Sequence, residues 1–392
     1  MFYIPRVMKY FSHLNSAAEM IRLYDGKQPF HQFSKVFFSR NKKYGSKDRK
    51  SITHLCYCYF RMGQAMKDEP IADRIIAGLF LCAEKTNETL QSLKPEWNEQ
   101  VDICIKEKCK MLSIEYPALN LFPLLNELSD GIDKESFNLS HLHQPDLFIR
   151  IRPGYKDSVI NKLEASAINY SIPATDCIAM SNTTKIDAIL TINKEAVIQD
   201  YSSQRVSELL SLTGAHSKFP IKVWDCCAAS GGKSILAKDV LKDIELTVSD
   251  VRESIVVNLK KRFLEAGIDR YKSFIADISK PGTEKMYQLI IADVPCTGSG
   301  TWGRTPEQLC YFDEKAIKEY SALQKKIVGN IIPCLEKKGC LLYITCSVFR
   351  KENEAMIQLL QEEYPLELVT MEVLKGYTMK ADTMFAALLV KR

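Results

Sequence analysis

From about residue 196 onward, strand-like runs alternate with helix-like segments, and this alternation constrains the fold more than any other feature of the sequence. The predicted strands are Lys222–Cys226, Glu245–Asp250, Tyr271–Asp277, Tyr287–Asp293, Cys340–Ser347, Leu366–Val369 and Phe385–Val390. The predicted helices between them are Gly231–Leu241, Arg252–Ala266, Ala316–Leu335 and Glu352–Glu363. Repeated β-α units favour a mostly parallel, doubly wound sheet, which binds its ligand at the carboxyl ends of the strands.

Two further regions precede this one. Residues 1 to about 140 read as helical, because apolar residues recur at three- and four-residue spacing over Ile52–Met66, Ile71–Ala83 and Trp97–Leu112. A polar stretch, Ser129–Asp146, then indicates a boundary. Residues 147–195 predict a small α/β unit with strands Leu147–Arg152, Cys177–Ser181 and Ala188–Ile192 and a helix Ser158–Tyr170. We therefore predict three domains, with boundaries 1–140, 147–195 and 196–392.

Charge is concentrated in the first of these regions. The whole chain has a net charge of +5, but residues 1–61 alone hold twelve Lys or Arg and only three acidic residues. Such a basic region suggests a polyanionic partner, RNA or DNA, although a solvated helical face would have the same composition. No apolar run reaches the roughly 18–20 residues of a membrane helix, and Met1–Tyr10 lacks a signal-peptide core. We expect a cytoplasmic protein without a membrane partner.

The thirteen cysteines do not fit a secreted disulfide framework, which is even-numbered, dense and short. No C-x-x-C pair occurs, so we expect no metal site. Most of the cysteines, Cys56 and Cys58 among them, are expected to be small buried hydrophobes.

The predicted carboxyl ends of the strands carry a glycine pair and three acids. The first strand leads into Asp225–Ser234, where Gly231 and Gly232 can bring a helix N-terminus close to an anionic ligand. A phosphate-binding P-loop would need glycine at position 227, which is cysteine. Asp250, Asp277 and Asp293 close the next three strands. Each acid alone is more often a cap, but together they favour a cofactor that contains adenosine.

Two of the cysteines also lie at predicted strand ends. Cys296 follows the fourth strand and Cys346 ends the fifth, each among Pro, Gly, Thr or Ser residues. Both could be buried filler, but polar loop surroundings suit a reactive thiol better.

These motifs resemble those of the Sun-domain (Fmu, or RsmB-like) RNA cytosine-5 methyltransferases. Three of them lie in the last domain: Cys227–Lys233 resembles the family's cofactor loop, Asp293–Gly300 its D-x-P-C segment and Thr345–Ser347 its T-C-S motif. Ile198–Asp200 resembles the element before the catalytic domain, and Gly45–Arg49 resembles a signature of NusB-like N-terminal domains. One departure is Ser230, where the family usually has proline.

The resemblance implies a Rossmann-like class I methyltransferase domain with a seven-stranded sheet, preceded by an RRM-like unit and a helical, NusB-like RNA-binding domain. It implies transfer of a methyl group from S-adenosylmethionine to carbon 5 of a cytosine in RNA, with ribosomal RNA as the expected substrate. By resemblance, Cys346 attacks carbon 6, Cys296 assists product release and Asp293 holds nitrogen 3 of the base.

The resemblance also implies the cofactor-binding residues. Asp250 would bind the ribose and Asp277 the adenine. The full set is Cys227, Ala228, Ala229, Ser230, Gly231, Gly232, Lys233, Asp250, Asp277 and Asp293.

Three alternatives stay open at this point. Cys296 is a rival nucleophile, since in DNA cytosine-5 methyltransferases the attacking cysteine lies in the P-C segment. The chain could be an RNA-binding assembly protein that keeps the fold with little turnover, a reading that Ser230 favours. A phosphotransferase using Gly232–Ser234 is disfavoured by the missing glycine. The oligomeric state, the RNA and the target cytosine are not predicted.

Overall fold

The structure, a computed structural model, describes residues 3–116, 119–213, 220–280, 282 and 285–392, with side chains from Met8 onward. Arg6, one of the basic residues counted above, lies outside the described side chains. The chain forms two compact units. The first contains residues 1–126, 133–144 and 302–313, and the second contains residues 127–132, 145–301 and 314–392.

The first unit is helical. Its helices are α1 (Tyr3–Leu23), α2 (Phe30–Arg40), α3 (Ser46–Arg61), α4 (Ile71–Cys82), α5 (Glu88–Leu93), α6 (Pro95–Asn98), α7 (Ile105–Met111), α8 (Lys134–Ser140) and, later in the chain, α13 (Gln308–Tyr311). Its core is rich in aromatic rings, with Phe30, Phe60 and Phe80 fully buried. Cys56 and Cys58 are buried in this core, as predicted.

The prediction of one helix over Trp97–Leu112 is wrong. Two short helices, α6 and α7, occupy this stretch. The Asn98 side chain is buried at the end of α6, where its Oδ1 accepts the Asn87 N–H at 2.8 Å and its Nδ2 donates to Gln91. These contacts to an earlier part of the chain favour a turn over a continuous helix, and apolar spacing alone does not reveal them.

A four-stranded antiparallel sheet begins the second unit. Its strands, in the order β2-β3-β1-β4, are β1 (Leu147–Ile151), β2 (Tyr170–Ala174), β3 (Cys177–Met180) and β4 (Ala196–Ile198), and α9 (Lys156–Ala165) follows β1. The predicted strand Ala188–Ile192 is wrong. Leu190 is buried against the core of this sheet without joining its strands, and the two strands that pair with β1 are β3 and β4.

A seven-stranded sheet forms the larger part of the second unit. Its strands are β5 (Ile221–Asp225), β6 (Ile244–Asp250), β7 (Tyr271–Ile275), β8 (Tyr287–Asp293), β9 (Leu335–Thr345), β10 (Leu366–Leu374) and β11 (Met384–Lys391), in the order β10-β11-β9-β8-β5-β6-β7. The helices of this part are α10 (Tyr201–Ser211), α11 (Gly232–Leu241), α12 (Glu253–Glu265), α14 (Lys315–Ile331) and α15 (Glu354–Glu363).

Strands β5 to β9 are parallel, and only β11 runs against its neighbours. This architecture confirms the predicted Rossmann-like fold class. The chain passes from β5 to β6 on one side and returns to β8 on the other, so the order reverses beside β5. A doubly wound sheet binds its ligand at such a reversal. None of the described helices is long and apolar enough to cross a membrane.

Buried ion pairs join the small sheet to the large one within this unit. Asp239 on α11 accepts hydrogen bonds from Arg150 at 2.7 Å and from Arg152 at 2.8 Å, and all three side chains are largely buried. Arg152 also donates to the Ala266 carbonyl oxygen just after α12. Whether residues 147–195 form a separate, RRM-like unit stays a prediction.

Replacing Asp239 with alanine leaves two buried guanidinium groups without their carboxylate. We expect the free energy of unfolding of the second unit to fall by about 3–5 kcal/mol, since removing one partner strands a buried charge. Urea denaturation of the full chain measures this change. The exposed Asp243→Ala variant is the control and should stay within about 0.5 kcal/mol of wild type. Equal stability of the two variants would contradict this account.

Candidate active site

The loop between β5 and α11 contains the predicted cofactor residues Cys227–Lys233. Gly231 has a φ of +83°, and a Cβ there would lie 2.6 Å from Cε1 of Phe263, so the position requires glycine. A Cβ on Gly232 would meet nothing within 4 Å, so the start of α11 borders open space. Backbone N–H groups at a helix start suit a polar or anionic ligand. The loop therefore leaves room for a polar ligand at the start of α11, and its role in cofactor binding stays a prediction.

Ser230 is held by an arginine in the structure. Nη1 of Arg262 donates to the Ser230 hydroxyl at 2.7 Å and to its carbonyl oxygen at 2.9 Å. Nε of the same arginine donates to Asn193, between the third and fourth strands of the small sheet. A serine at this position is thus fixed by side-chain hydrogen bonds, without the rigidity of proline.

Asp250 ends β6 and tethers the same loop. Its Oδ2 accepts the Ala229 N–H at 3.0 Å, and its Oδ1 accepts the backbone N–H and Nε of Arg252, each at 3.0 Å. Burial raises the pKa of this carboxyl group, but the hydrogen bonds from Arg252 and Ala229 outweigh burial and lower it overall. Asp250 is therefore ionised at neutral pH, and it faces the loop as a hydrogen-bond acceptor.

Asp277 lies two residues beyond the end of β7 and is exposed. Its Oδ1 accepts the Ser279 hydroxyl at 2.6 Å, and Lys280 lies 3.4 Å from Oδ2. The Ser279 hydrogen bond lowers the pKa of Asp277. The structure places this predicted adenine ligand in a local turn, and its role stays a prediction.

Asp293 ends β8 and forms an ion pair with Lys233 of the cofactor loop. Lys233 Nζ lies 3.1 Å from Asp293 Oδ2 and donates to the Ser203 hydroxyl at 2.8 Å. Lys233 is 8% exposed, whereas the Asp293 side chain is 30% exposed. The lysine therefore neutralises and orients a carboxylate that still has an accessible side.

Cys296 and Cys346 lie together beyond the ends of β8 and β9. Their sulfur atoms are 3.2 Å apart, and both residues are partly exposed. The Gly300 N–H donates to the Cys346 carbonyl oxygen at 2.9 Å, which joins the two loops. The interaction with Cys346, together with burial and the nearby Glu352 carboxylate, raises the pKa of Cys296. The structure thus brings both predicted cysteines into one centre.

Asp225 is a functional candidate that the sequence analysis passed over. It is fully buried at the end of β5, where Oδ2 accepts the Ser234 hydroxyl at 2.6 Å and Oδ1 has no partner among the described residues. Burial raises its pKa from 3.8 to about 7, and the Asp293 carboxylate adds to the shift. The position of Asp225 just before the loop between β5 and α11 was the available sequence signal. The sequence does not show, however, that its carboxyl group is buried.

Comparison with known proteins identifies the domain that holds this site. Residues 216–389 match the family described as 16S rRNA methyltransferase RsmB/F.

The similarity to the RsmB/F, or Sun-domain, family is thus found over these residues, which are less than half of the chain. This confirms the resemblance found in the sequence.

Two curated relatives each match less than half of this chain. Ribosomal RNA small subunit methyltransferase B of Salmonella arizonae is 30% identical over 177 residues, which cover 43% of this chain and 38% of that protein. Ribosomal RNA small subunit methyltransferase F of Shigella flexneri is 25% identical over 190 residues, covering 45% and 40%. The match therefore spans about two fifths of each relative's length.

Solved structures share the fold over more of the chain. A crystal structure of PH0851 superposes with a TM-score of 0.70 at 20% identity, covering 97% of this chain and 98% of that one. A methyltransferase homologue from Pyrococcus horikoshii has a TM-score of 0.57 at 19% identity, covering 73% and 98%. These similarities show that solved structures share the fold of this chain.

The raised pKa of Asp225 predicts a pH-dependent stability. The folded state keeps this proton up to about pH 7, whereas the unfolded state loses it near pH 3.8. The folded state therefore binds more protons between these values, so its stability from this group falls as pH rises through the window. Asp225→Asn removes the titration while keeping an acceptor for Ser234.

Urea denaturation between pH 4.5 and 7.5 compares the two proteins. We expect wild type to lose stability relative to Asp225→Asn as pH rises, with a slope approaching about 1.4 kcal/mol per pH unit. Parallel stability profiles would show that Asp225 titrates as an ordinary carboxyl group.

Proposed function

We propose that this chain transfers a methyl group from S-adenosylmethionine to carbon 5 of a cytosine in RNA, with ribosomal RNA as the substrate. The observation that carries this proposal is the pair of thiols, Cys296 and Cys346, 3.2 Å apart beyond the carboxyl ends of two adjacent parallel strands. The names of the curated relatives, ribosomal RNA small subunit methyltransferases B and F, support the reaction class and the kind of RNA.

The residues around the cofactor loop fit S-adenosylmethionine, which supplies the methyl group when bound. Gly232 borders open space at the start of α11, Gly231 allows the turn before it, and the Asp250 carboxylate offers acceptors suited to ribose hydroxyls. The remaining loop residues, together with Lys233, Asp277 and Asp293, complete the proposed binding set. Lys233 would orient Asp293 between this cofactor site and the target base.

A thiolate solves the main chemical difficulty of this reaction. Carbon 5 of cytosine is a poor nucleophile, but addition of the Cys346 thiolate to carbon 6 makes carbon 5 behave as an enamine carbon. The addition places negative charge on the ring, which is relieved when nitrogen 3 accepts a proton or a strong hydrogen bond from a carboxyl group, the role proposed for Asp293. After carbon 5 has gained the methyl group, a base removes its proton. The sulfur–carbon bond then breaks and the electron pair returns to Cys346.

The surroundings of the two cysteines support Cys346 as the nucleophile. The hydrogen bond with Cys346, burial and the Glu352 carboxylate raise the pKa of Cys296, which disfavours formation of its thiolate, the nucleophilic form. A protonated thiol beside Cys346 suits the release step, in which protons move near the adduct.

The alternative of an RNA-binding assembly protein with little turnover rests on Ser230. The Arg262 hydrogen bonds make this alternative less favoured, because they fix the loop that contains Ser230. The phosphotransferase alternative is disfavoured further, since Lys233 is engaged by Asp293 and Ser203. We therefore favour the methyltransferase over both.

Exposed basic side chains support RNA as the partner. Four lysines of the first unit, all exposed, lie within nine residues of one another around the start of α3: Lys42, Lys43, Lys47 and Lys50. Such a cluster can bind phosphates, and its contribution should weaken with salt. The target base would have to leave its stack to reach a pocket of this kind, which favours a cytosine in a loop or a single strand.

Replacing Cys346 with alanine should abolish methyl transfer from labelled S-adenosylmethionine to unmodified ribosomal RNA. Cofactor affinity should stay within about threefold of wild type, because Cys346 is not among the proposed cofactor residues. The control is Cys104→Ala, which removes an exposed thiol of the other unit and should keep full activity. Residual transfer above one per cent in the Cys346 variant would rule out its role as nucleophile.

Replacing Cys296 with alanine should allow attack but slow the release of the product. We therefore expect a protein–RNA adduct that survives denaturing gel electrophoresis, and loss of this adduct in the double variant with Cys346→Ala. Normal turnover without an adduct would mean that the roles of the two cysteines are wrongly assigned.

A further inference from the structure

The two cysteine loops share a buried carboxylate, that of Glu352. This residue lies in the short helical turn Arg350–Glu352 before α15 and is fully buried. Its Oε1 accepts the Thr297 N–H at 3.0 Å, and its Oε2 accepts the Thr297 hydroxyl at 2.5 Å. Oε2 also accepts the hydroxyl of Ser347. The carboxylate therefore contacts the residue that directly follows each cysteine.

Further contacts fix this carboxylate and bracket Cys296. Gln324 on α14 donates from one amide nitrogen to Glu352 Oε1 and to the Pro295 carbonyl oxygen, each at 3.0 Å. Tyr343 on β9 donates its hydroxyl to the Glu352 carbonyl oxygen at 2.7 Å. The residues on both sides of Cys296 are thus connected, through Glu352 and Gln324, to the strand that leads to Cys346.

The buried Glu352 carboxylate destabilises the fold unless all of its hydrogen bonds are formed. Glu352 has no cationic partner among the described residues, and burial raises its pKa. A buried carboxylate without a cation depends on its hydrogen bonds, and here four donors from Thr297, Ser347 and Gln324 satisfy it. Losing either loop would leave the carboxylate short of donors, so the carboxylate holds both loops in place at once.

Neighbouring Asn353 has a narrower role. Its amide accepts the Thr345 hydroxyl at 2.6 Å and donates to the Ser347 carbonyl oxygen at 3.0 Å, so of the two cysteine loops it contacts the one that carries Cys346. Glu352 differs because its side chain reaches both loops.

We propose that Glu352 is the positioning residue of the two-cysteine centre: its carboxylate sets the separation of Cys296 and Cys346. This inference rests on the proposed function for its catalytic meaning, but the separation of the thiols can be measured without methyl transfer. A loop displaced by about 1 Å can cost on the order of 100-fold in rate, which is the effect expected for a positioning residue.

The test uses the full chain and diamide, an oxidant that takes two electrons and two protons from a pair of thiols and leaves a disulfide. Peptide mapping by mass spectrometry measures the rate at which the Cys296–Cys346 disulfide forms. We expect Glu352→Ala to slow this rate at least tenfold. We also expect a fall in kcat of about 100-fold with KM for S-adenosylmethionine within threefold of wild type.

Glu352→Gln is the conservative rescue. Its amide has the same shape, keeps an acceptor for the Thr297 N–H and Gln324, and faces hydroxyls that can accept as well as donate. We expect its disulfide rate to stay within about threefold of wild type. A loss as large as in Glu352→Ala would show that the charge, and not the placement of the loops, is what matters.

Glu195→Ala is the matched control for lost stability. Glu195 is also a buried carboxylate of the second unit, and it holds Lys162, Ser158 and the Thr191 N–H in the small sheet. We expect this variant to be destabilised while its disulfide rate stays at the wild-type value. If Glu352→Ala does not fold, Thr297→Val and Ser347→Ala each remove one tether, and each should slow disulfide formation.

The outcomes separate this proposal from the proposed function. Wild-type disulfide rates in every folded variant at Glu352, Thr297 and Ser347 would overturn the positioning role. Slowed disulfide formation in these variants, in a protein that transfers no methyl group to any RNA, would support the positioning role and count against the proposed function.

Discussion

The parallel pairing of β8 with β9 is the constraint on which the proposed reaction centre depends. The register sets Asp293 opposite Ile344, so Cys296 and Cys346 emerge from neighbouring strands at the same edge of the sheet. Both strands are buried in the middle of a seven-stranded sheet, and their consecutive buried residues pack on both of its faces. The hydrophobic core therefore fixes the place where two thiols meet.

Electrostatics then gives similar groups different properties. Three carboxyl groups end β5, β6 and β8: Asp225, Asp250 and Asp293. Asp250 is held ionised by Arg252, Asp293 pairs with Lys233, and burial raises the pKa of Asp225. Sites that perform acid and base chemistry commonly separate the pKa values of chemically identical groups in this way.

The sequence predicts much of this arrangement because strand–helix alternation and motif spacing are local properties. The two cysteines and the cofactor loop lie at strand ends, where the alternation alone indicates a site. The two wrong predictions are a helix over Trp97–Leu112 and a strand over Ala188–Ile192 in the small sheet. The structure of both segments depends on contacts with residues outside the segment. The sequence does not indicate Asp225 and Glu352 as site residues, because their roles depend on burial and on hydrogen bonds between separate loops.

The most direct test of the account uses ribosomal RNA that contains 5-fluorocytidine. A fluorine at carbon 5 cannot leave as a proton, so an attacking cysteine stays bound to carbon 6 and can be located by peptide mass spectrometry. The account predicts a nucleotide on the peptide Gly339–Arg350, attached at Cys346. Attachment at Cys296, or no attachment to any cysteine, would contradict it.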